Sequence, residues 1–412
     1  MKVYDHTALC FSVAGTGRLF SAVCGEREVL CCDFDGETLT LALSYDGKVK
    51  VDGPLPMLAL QGKAAVGDEI KVVLLPYRIE LYRNGVLIDE EWPCGRHFLS
   101  EAELIGKTDC TVSEYFPSAE PLPAVVGTFQ NAEGWQPEEN VFAGDCMPYA
   151  YGGRYHLLYL KDRHRHQSKW GRGAHQWAHL STEDFVEWQV HPLAVEITED
   201  WEGSICTGSW IERDGVHYLF YTIRTCDGSP APIRRSVSGD GFHFEKDMNF
   251  SFTLDGNVFH AASARDPKVV RAADGKYHMF LTTSQVESGK GCLAHFISDD
   301  LDHWTPAEAP IYVAPDENQP ECPDYFCWNG VYYLIFSHHG KGEYLYSDHP
   351  FDGWRKPADG RIDCKSVPKM AFWRERVIFA GFDGGGKYAG TLTFTEAFQN
   401  PDGTLRFEHM QR

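Results

Sequence analysis

Positive charge is scarce in this chain: 38 Lys and Arg stand against 59 Asp and Glu, a formal net charge of −21 over 412 residues. A surface of that sign repels phosphate backbones and anionic membranes, so nucleic acid and lipid are unsuited partners and a small neutral saccharide fits. Any uncharged apolar run of about 18 residues is also missing, as is a basic-then-apolar N-terminus; neither a transmembrane helix nor a secretory leader is expected, and the expected location is cytoplasmic. The 13 cysteines, an odd number, show no paired Cys-x-x-Cys spacing. Cys206, Cys292 and Cys327 lie in apolar strand-like runs, where a free thiol serves as a small core side chain, so the chain reads as reduced and without structural zinc.

What is present is an ordinary folded composition, 43% hydrophobic and 24% charged. The length exceeds what one hydrophobic core fills, which predicts two domains. Residues 1–130 alternate apolar and polar positions between the turn signals Gly25-Glu26, Asp35-Gly36, Asp46-Gly47 and Asn84-Gly85, the pattern of an antiparallel, lectin-like β-sandwich. The alternation lapses over 131–140, which predicts a linker.

From Val141 a unit of near 60 residues repeats. One element is turn, aromatic, apolar: Gly153-Arg154-Tyr155, Gly215-Val216-His217-Tyr218, Gly275-Lys276-Tyr277 and Gly330-Val331-Tyr332 each lead into an apolar run. The other is a Ser/Asp turn followed by an aromatic: Ser181 to Trp188, Ser238 to Phe244, Ser298 to Trp304 and Ser347 to Trp354. Four blades are explicit. A fifth, around Pro368 to Phe382, keeps the apolar strand and lacks the second element. The expected fold is all-β, a five-bladed β-propeller over 141–390 behind the sandwich, with 391–412 as C-terminal strands or connector.

Three acidic residues stand just ahead of blade-like strands: Asp145, Asp266 in Arg265-Asp266-Pro267, and Glu321 in Glu321-Cys322-Pro323. Inner strands of a propeller deliver such residues into one funnel, and two carboxylates about one sugar ring are what glycoside hydrolysis needs. Together with His175-Gln176-Trp177-Ala178-His179-Leu180-Ser181 and Gly203-Ser204-Ile205-Cys206-Thr207-Gly208-Ser209, these motifs make the region from Val141 onward resemble glycoside hydrolase family 32, the invertase, levanase and fructanase group.

The resemblance implies a retaining β-fructofuranosidase without a cofactor, with Asp145 as nucleophile, Glu321 as acid/base and Asp266 stabilising the transition state. Arg265, Trp177, Trp201, His179 and Ser204 are the expected sugar contacts. Two departures stand out. Ala143-Gly144-Asp145-Cys146-Met147-Pro148 replaces the family's Asn-Asp-Pro-Asn-Gly stretch, and the sandwich precedes the propeller where the family commonly has it behind. For the acid role Glu321 is expected to have a raised pKa, from burial and from the two other carboxylates beside it.

Other readings of the same residues are milder. A lone Asp or Glu is usually a solvated turn residue. His175, His179 and the pair His338-His339 resemble metal ligands, but no Cys or carboxylate adjacent in sequence completes a set, so no metal is expected. Propeller aromatics are more often inter-blade packing than sugar platforms. Cys322 beside an acid lacks the activating base a nucleophilic thiol wants, which favours a supporting role. Two further functions are open on sequence alone: an inverting propeller acting on arabinosides or xylosides, and a sugar-binding module without catalysis.

Overall fold

The computed structural model describes residues 2–3, 6–46, 57–92, 96–97, 102–106, 108–117, 122–163, 165, 174–199, 201–225, 229–230 and 232–410. Among these there is no α-helix, only a 3₁₀ turn at Ala261–Ser263, and no helix is long and apolar enough to cross a membrane.

The N-terminal part is a sandwich of two antiparallel sheets. One is built around Gly17–Cys24, Arg27–Phe34, Thr38–Asp46 and Met57–Lys63, the other around Thr7–Ser12, Glu69–Leu74, Ile79–Arg83 and Val86–Glu91. Their inward-facing residues, among them Leu9, Phe20, Phe34, Leu41, Val72 and Leu81, form one buried core. The Asn84-Gly85 signal closes a two-residue hairpin with φ of 49° and 80°, as a primed turn demands. The expected Asp46-Gly47 turn extends outside the described residues.

Five antiparallel sheets follow and close into a five-bladed propeller whose inner strands are Phe142–Tyr151, Glu202–Arg213, Arg265–Arg271, Glu321–Trp328 and Ser366–Trp373. The glycine of each repeat, Gly153, Gly215, Gly275 and Gly330, has φ between 80° and 83° and turns the inner strand into the second strand. The Ser/Asp element is a side-chain-capped turn between third and outer strands: Asp184, Asp240 and Asp300 each accept two backbone N–H groups two and three residues on. Apolar cores fill the space between neighbouring blades, as where Trp177, Leu158, Ile205 and Tyr221 join blades one and two.

Two expected boundaries move. Gly127–Gln130 pairs with Glu187–Val195 as the outermost strand of blade one, so 131–140 crosses from the rim of that blade to its inner strand and is no linker. Thr391–Gln399 pairs with Arg376–Asp383 and Leu405–His409 with Thr391–Gln399, completing blade five rather than trailing behind it. Blades five and one then meet over Tyr155, Trp188, Trp373 and Phe394, which closes the ring.

The sandwich is fastened to blade one by charge. Arg163 reaches Asn140 Oδ1 at 2.6 Å and Glu90 at 3.5 Å, Lys161 lies 3.6 Å from Glu90, and Arg78 bonds Glu90 at 2.9 Å. Glu90 is buried, which opposes its charge, yet Lys161, Arg78 and Arg163 hold its carboxyl below the usual value. Trp92 adds an apolar contact to the core of blades one and two.

Candidate active site

In all five inner strands the ladder to the second strand slips at the same place. Two residues face one at Gly144-Asp145, Cys206-Thr207, Asp266-Pro267, Cys322-Pro323 and Val367-Pro368. A bulge leaves a residue unpaired and re-aims its side chain, which is why proline, lacking an amide hydrogen, is tolerated at three of them. Asp266, Cys322 and Val367 have φ of 56°, 53° and 47°. That left-handed backbone costs roughly 1–3 kcal/mol per residue and persists only where the surroundings enforce it.

The bulges ring the channel and their side chains meet there. Asp145 is buried; Tyr388 donates its hydroxyl to Oδ1 at 3.0 Å, the Thr207 hydroxyl donates to Oδ2, and the Cys322 thiol lies 3.4 Å from Oδ2. Asp266, also buried, accepts the Cys322 backbone N–H at 3.0 Å, with the Cys322 thiol at 3.5 Å. Three donors on the Asp145 carboxylate fix its plane.

Glu321 and Arg265 occupy equivalent positions just before their bulges in adjacent blades. Arg265 donates to Glu321 Oε1 at 2.8 Å, to Gln319 Oε1 at 2.6 Å and to the Ser263 carbonyl at 2.9 Å. Glu321 is not buried as expected: its side chain is 44% exposed, at the mouth. The burial falls on Asp266, which it drives up in pKa; Glu321 and Asp145 push the same way while Arg265 and the Cys322 N–H oppose. Burial, with Asp266 and Asp145 beside it, also holds the Cys322 thiol protonated, so it donates to the carboxylates and is no nucleophile.

These groups line a cavity of about 290 Å³, large enough for one sugar ring and part of a second, with Arg224, His175, Ser204, Phe382 and Lys387 completing the wall. One level deeper, Lys268, Asp324 and Lys369 close the floor: Lys268 pairs with Asp324 at 2.5 Å and Lys369 donates to the Gly208 carbonyl at 3.1 Å. Below that floor a wider cavity of about 390 Å³ opens at the other end of the channel, walled by Trp210, Phe326 and Phe372. Its buried carboxylate, Asp324, is paired with Lys268, whereas Asp145, Asp266 and Glu321 line the first cavity.

The remaining expected contacts divide. Ser204 lines the cavity, but its hydroxyl accepts the His175 backbone N–H at 2.9 Å. Trp177 is wholly buried between blades one and two and donates its indole N–H to the Cys206 carbonyl at 2.9 Å, bracing the Thr207 bulge from behind. Trp201 packs under the Arg234 guanidinium, 5.4 Å from its ring, beside Glu202 and outside the carboxylate cavity. His179 is buried against His156, 3.0 Å away, and against His191; burial drives its pKa well below the usual value, making it a neutral core imidazole. None of these three lines the cavity that holds the carboxylates.

The sequence reading missed Thr207, Tyr388, Arg224 and Lys387. His175, read in the sequence as resembling a metal ligand, is buried with Nε2 3.0 Å from Asp162 and its ring stacked on Tyr388. The carboxylate absent beside His338-His339 in sequence is supplied in space by Asp316.

Residues 133–354, just over half of the chain, match the family model described as the glycosyl hydrolases family 32 N-terminal domain. The sucrose-6-phosphate hydrolase of Bacillus subtilis is 33% identical over 179 residues, covering 41% of this chain and 36% of that protein. That of Escherichia coli is 29% identical over 206 residues, 48% of this chain and 41% of its own length. This chain therefore spans well under half of the curated relatives it matches. Among solved structures, fructan 1-exohydrolase IIa from Cichorium intybus in complex with 1-kestose superposes with a TM-score of 0.57 at 18% identity, over 68% of this chain and 60% of that one. That likeness carries the propeller architecture, and the family match spans Asp145, Asp266 and Glu321: the chain belongs to glycoside hydrolase family 32.

Proposed function

We propose that the chain removes terminal fructosyl units from small fructosides with retention, by double displacement. The observation that carries this reading is the convergence of Asp145, Asp266 and Glu321, from three separate blades, on one cavity. Asp145, held by Thr207 and Tyr388, attacks the anomeric carbon; the carbon–oxygen bond to the aglycone breaks while Glu321 gives its proton to the departing oxygen. Water then enters on the vacated side, loses a proton to Glu321, and displaces Asp145. Asp266 accepts hydrogen bonds from fructosyl hydroxyls, which strengthen as positive charge develops on the ring. The floor at Lys268, Asp324 and Lys369 stops a chain from threading the channel, which favours attack at a chain end.

A specific observation favours an acidic aglycone over the neutral saccharide suggested by net charge. Arg224 Nη1 is buried with no hydrogen-bond partner, and Lys387 lines the same cavity. A buried guanidinium N–H without a partner is costly, and a phosphate on the substrate would satisfy it. The relatives named sucrose-6-phosphate hydrolases are consistent with this. An inverting pentosidase or a lectin finds no support in the family match.

Fructose release from sucrose and from sucrose 6-phosphate, with the first-formed anomer read by NMR, tests the proposal. Fructose in the retained β configuration, with higher kcat/KM on the phosphorylated sugar, is expected. An inverted first product would overturn the double displacement, and equal kcat/KM on the two sugars would overturn the acidic aglycone alone.

A further inference from the structure

We infer that Asp316, His338 and His339 form a binding site for a divalent transition ion of the zinc class beside the mouth of the cavity. His338 ends the strand Val331–His338, and His339-Gly340 is the two-residue turn into Lys341–Ser347. Neighbouring side chains on a strand point to opposite faces. Here the left-handed turn, with φ of 50° and 71°, swings His339 to the side of His338, and the ring centroids lie 4.2 Å apart.

Both rings face one carboxylate. His338 Nε2 is 3.3 Å from Asp316 Oδ1 and His339 Nε2 is 3.0 Å from Asp316 Oδ2. Ligands about 2.1 Å from a common ion stand roughly 3.0–3.4 Å apart at octahedral or tetrahedral angles, so these spacings suit an ion replacing the shared protons. The carboxylate is already oriented: Asp316 Oδ1 accepts the Asn318 N–H at 3.0 Å, and the Asp316 carbonyl accepts the Gly291 N–H at 3.0 Å. Two imidazoles and one carboxylate select zinc, nickel or cobalt over magnesium or calcium, which want oxygen ligands. Room for waters to complete the shell exists, because Asp316 and His339 line an open recess of about 580 Å³ that also reaches Arg265 and Glu321. The ion would sit on the segment Asp316 to Gln319, whose last residue holds Arg265 against Glu321.

An exposed ion pair alone would explain the contacts but not metal affinity. Calorimetric titration of the full chain with zinc chloride separates the two, with His339→Ala and Asp316→Asn as variants, whose side chains are 57% and 44% exposed. One zinc per chain is expected, with affinity lowered about 10-fold or more in each variant, since even residues behind a ligand are worth that much. Calcium should give no such site. Absence of zinc binding by the unaltered chain overturns the inference. So does unchanged affinity in both variants, which would place the ion elsewhere, as on the exposed Cys327 thiol.

Discussion

Tyr388 donates its hydroxyl to Asp145 Oδ1 at 3.0 Å across 243 positions of sequence, so the last blade holds the proposed nucleophile of the first. Burial, with Asp145 beside it, keeps Tyr388 a neutral phenol. Tyr388→Phe removes one charge-assisted hydrogen bond, worth about 1.5–3 kcal/mol, and should lower kcat about 10- to 100-fold. Melting temperature and KM should change little. Steady-state kinetics with thermal denaturation decide it: a loss confined to KM or to stability would show that Tyr388 does not orient the nucleophile.

Asp266→Asn should lower kcat by about 10²-fold or more while KM moves far less, because the proposed bonds from the fructosyl ring would strengthen only as charge develops there. A change confined to KM would make Asp266 a ground-state binder.

The carboxylate motifs and the repeating blades were legible because each is a local pattern: Arg265-Asp266-Pro267, Glu321-Cys322 and the glycines at positive φ are contiguous in the chain. Thr207 and Tyr388 were not: Thr207 lies inside the Gly203–Ser209 motif, but nothing there singles out its hydroxyl, and Tyr388 contributes one polar atom from a different blade. The bulges were hidden too; they interrupt the period-two alternation from which strands are read, and the register of a strand is set by its partner. Blade five was half-seen because its first turn uses Arg374-Glu375, with φ of 46° and 64°, where the other blades use glycine. Trp177 and His179 misled because burial between blades and exposure at a funnel give the same sequence pattern.

Stability should fall on mild acidification. Burial lowers His156 to about 3 and His295 to about 4, and also lowers His179, His191 and His278. In the unfolded chain these imidazoles take up protons near pH 6.5, so below that value the unfolded state binds more protons and is favoured. The contribution is fully present above about pH 6.5 and is lost progressively toward about pH 4. His243 and His303, raised by Asp240 and Asp300, act in the opposite sense, but both pairs are exposed and weak. Melting temperatures measured across this range should decline steadily; a flat profile would contradict the neutral buried histidines.

Glu321→Ala should lose turnover on fructosides with poor leaving groups and regain much of it when the leaving group departs without a proton. Equal losses on both kinds of substrate, measured as kcat, would remove Glu321 from the acid role.

The most direct test of the account is the initial rate of fructose release by Asp145→Ala, compared with the unaltered chain at matched melting temperature. Loss of the group that forms the bond should reduce kcat by roughly 10⁴-fold or more, with the fold intact. Near-normal turnover by that variant would contradict Asp145 as nucleophile, and with it the double displacement.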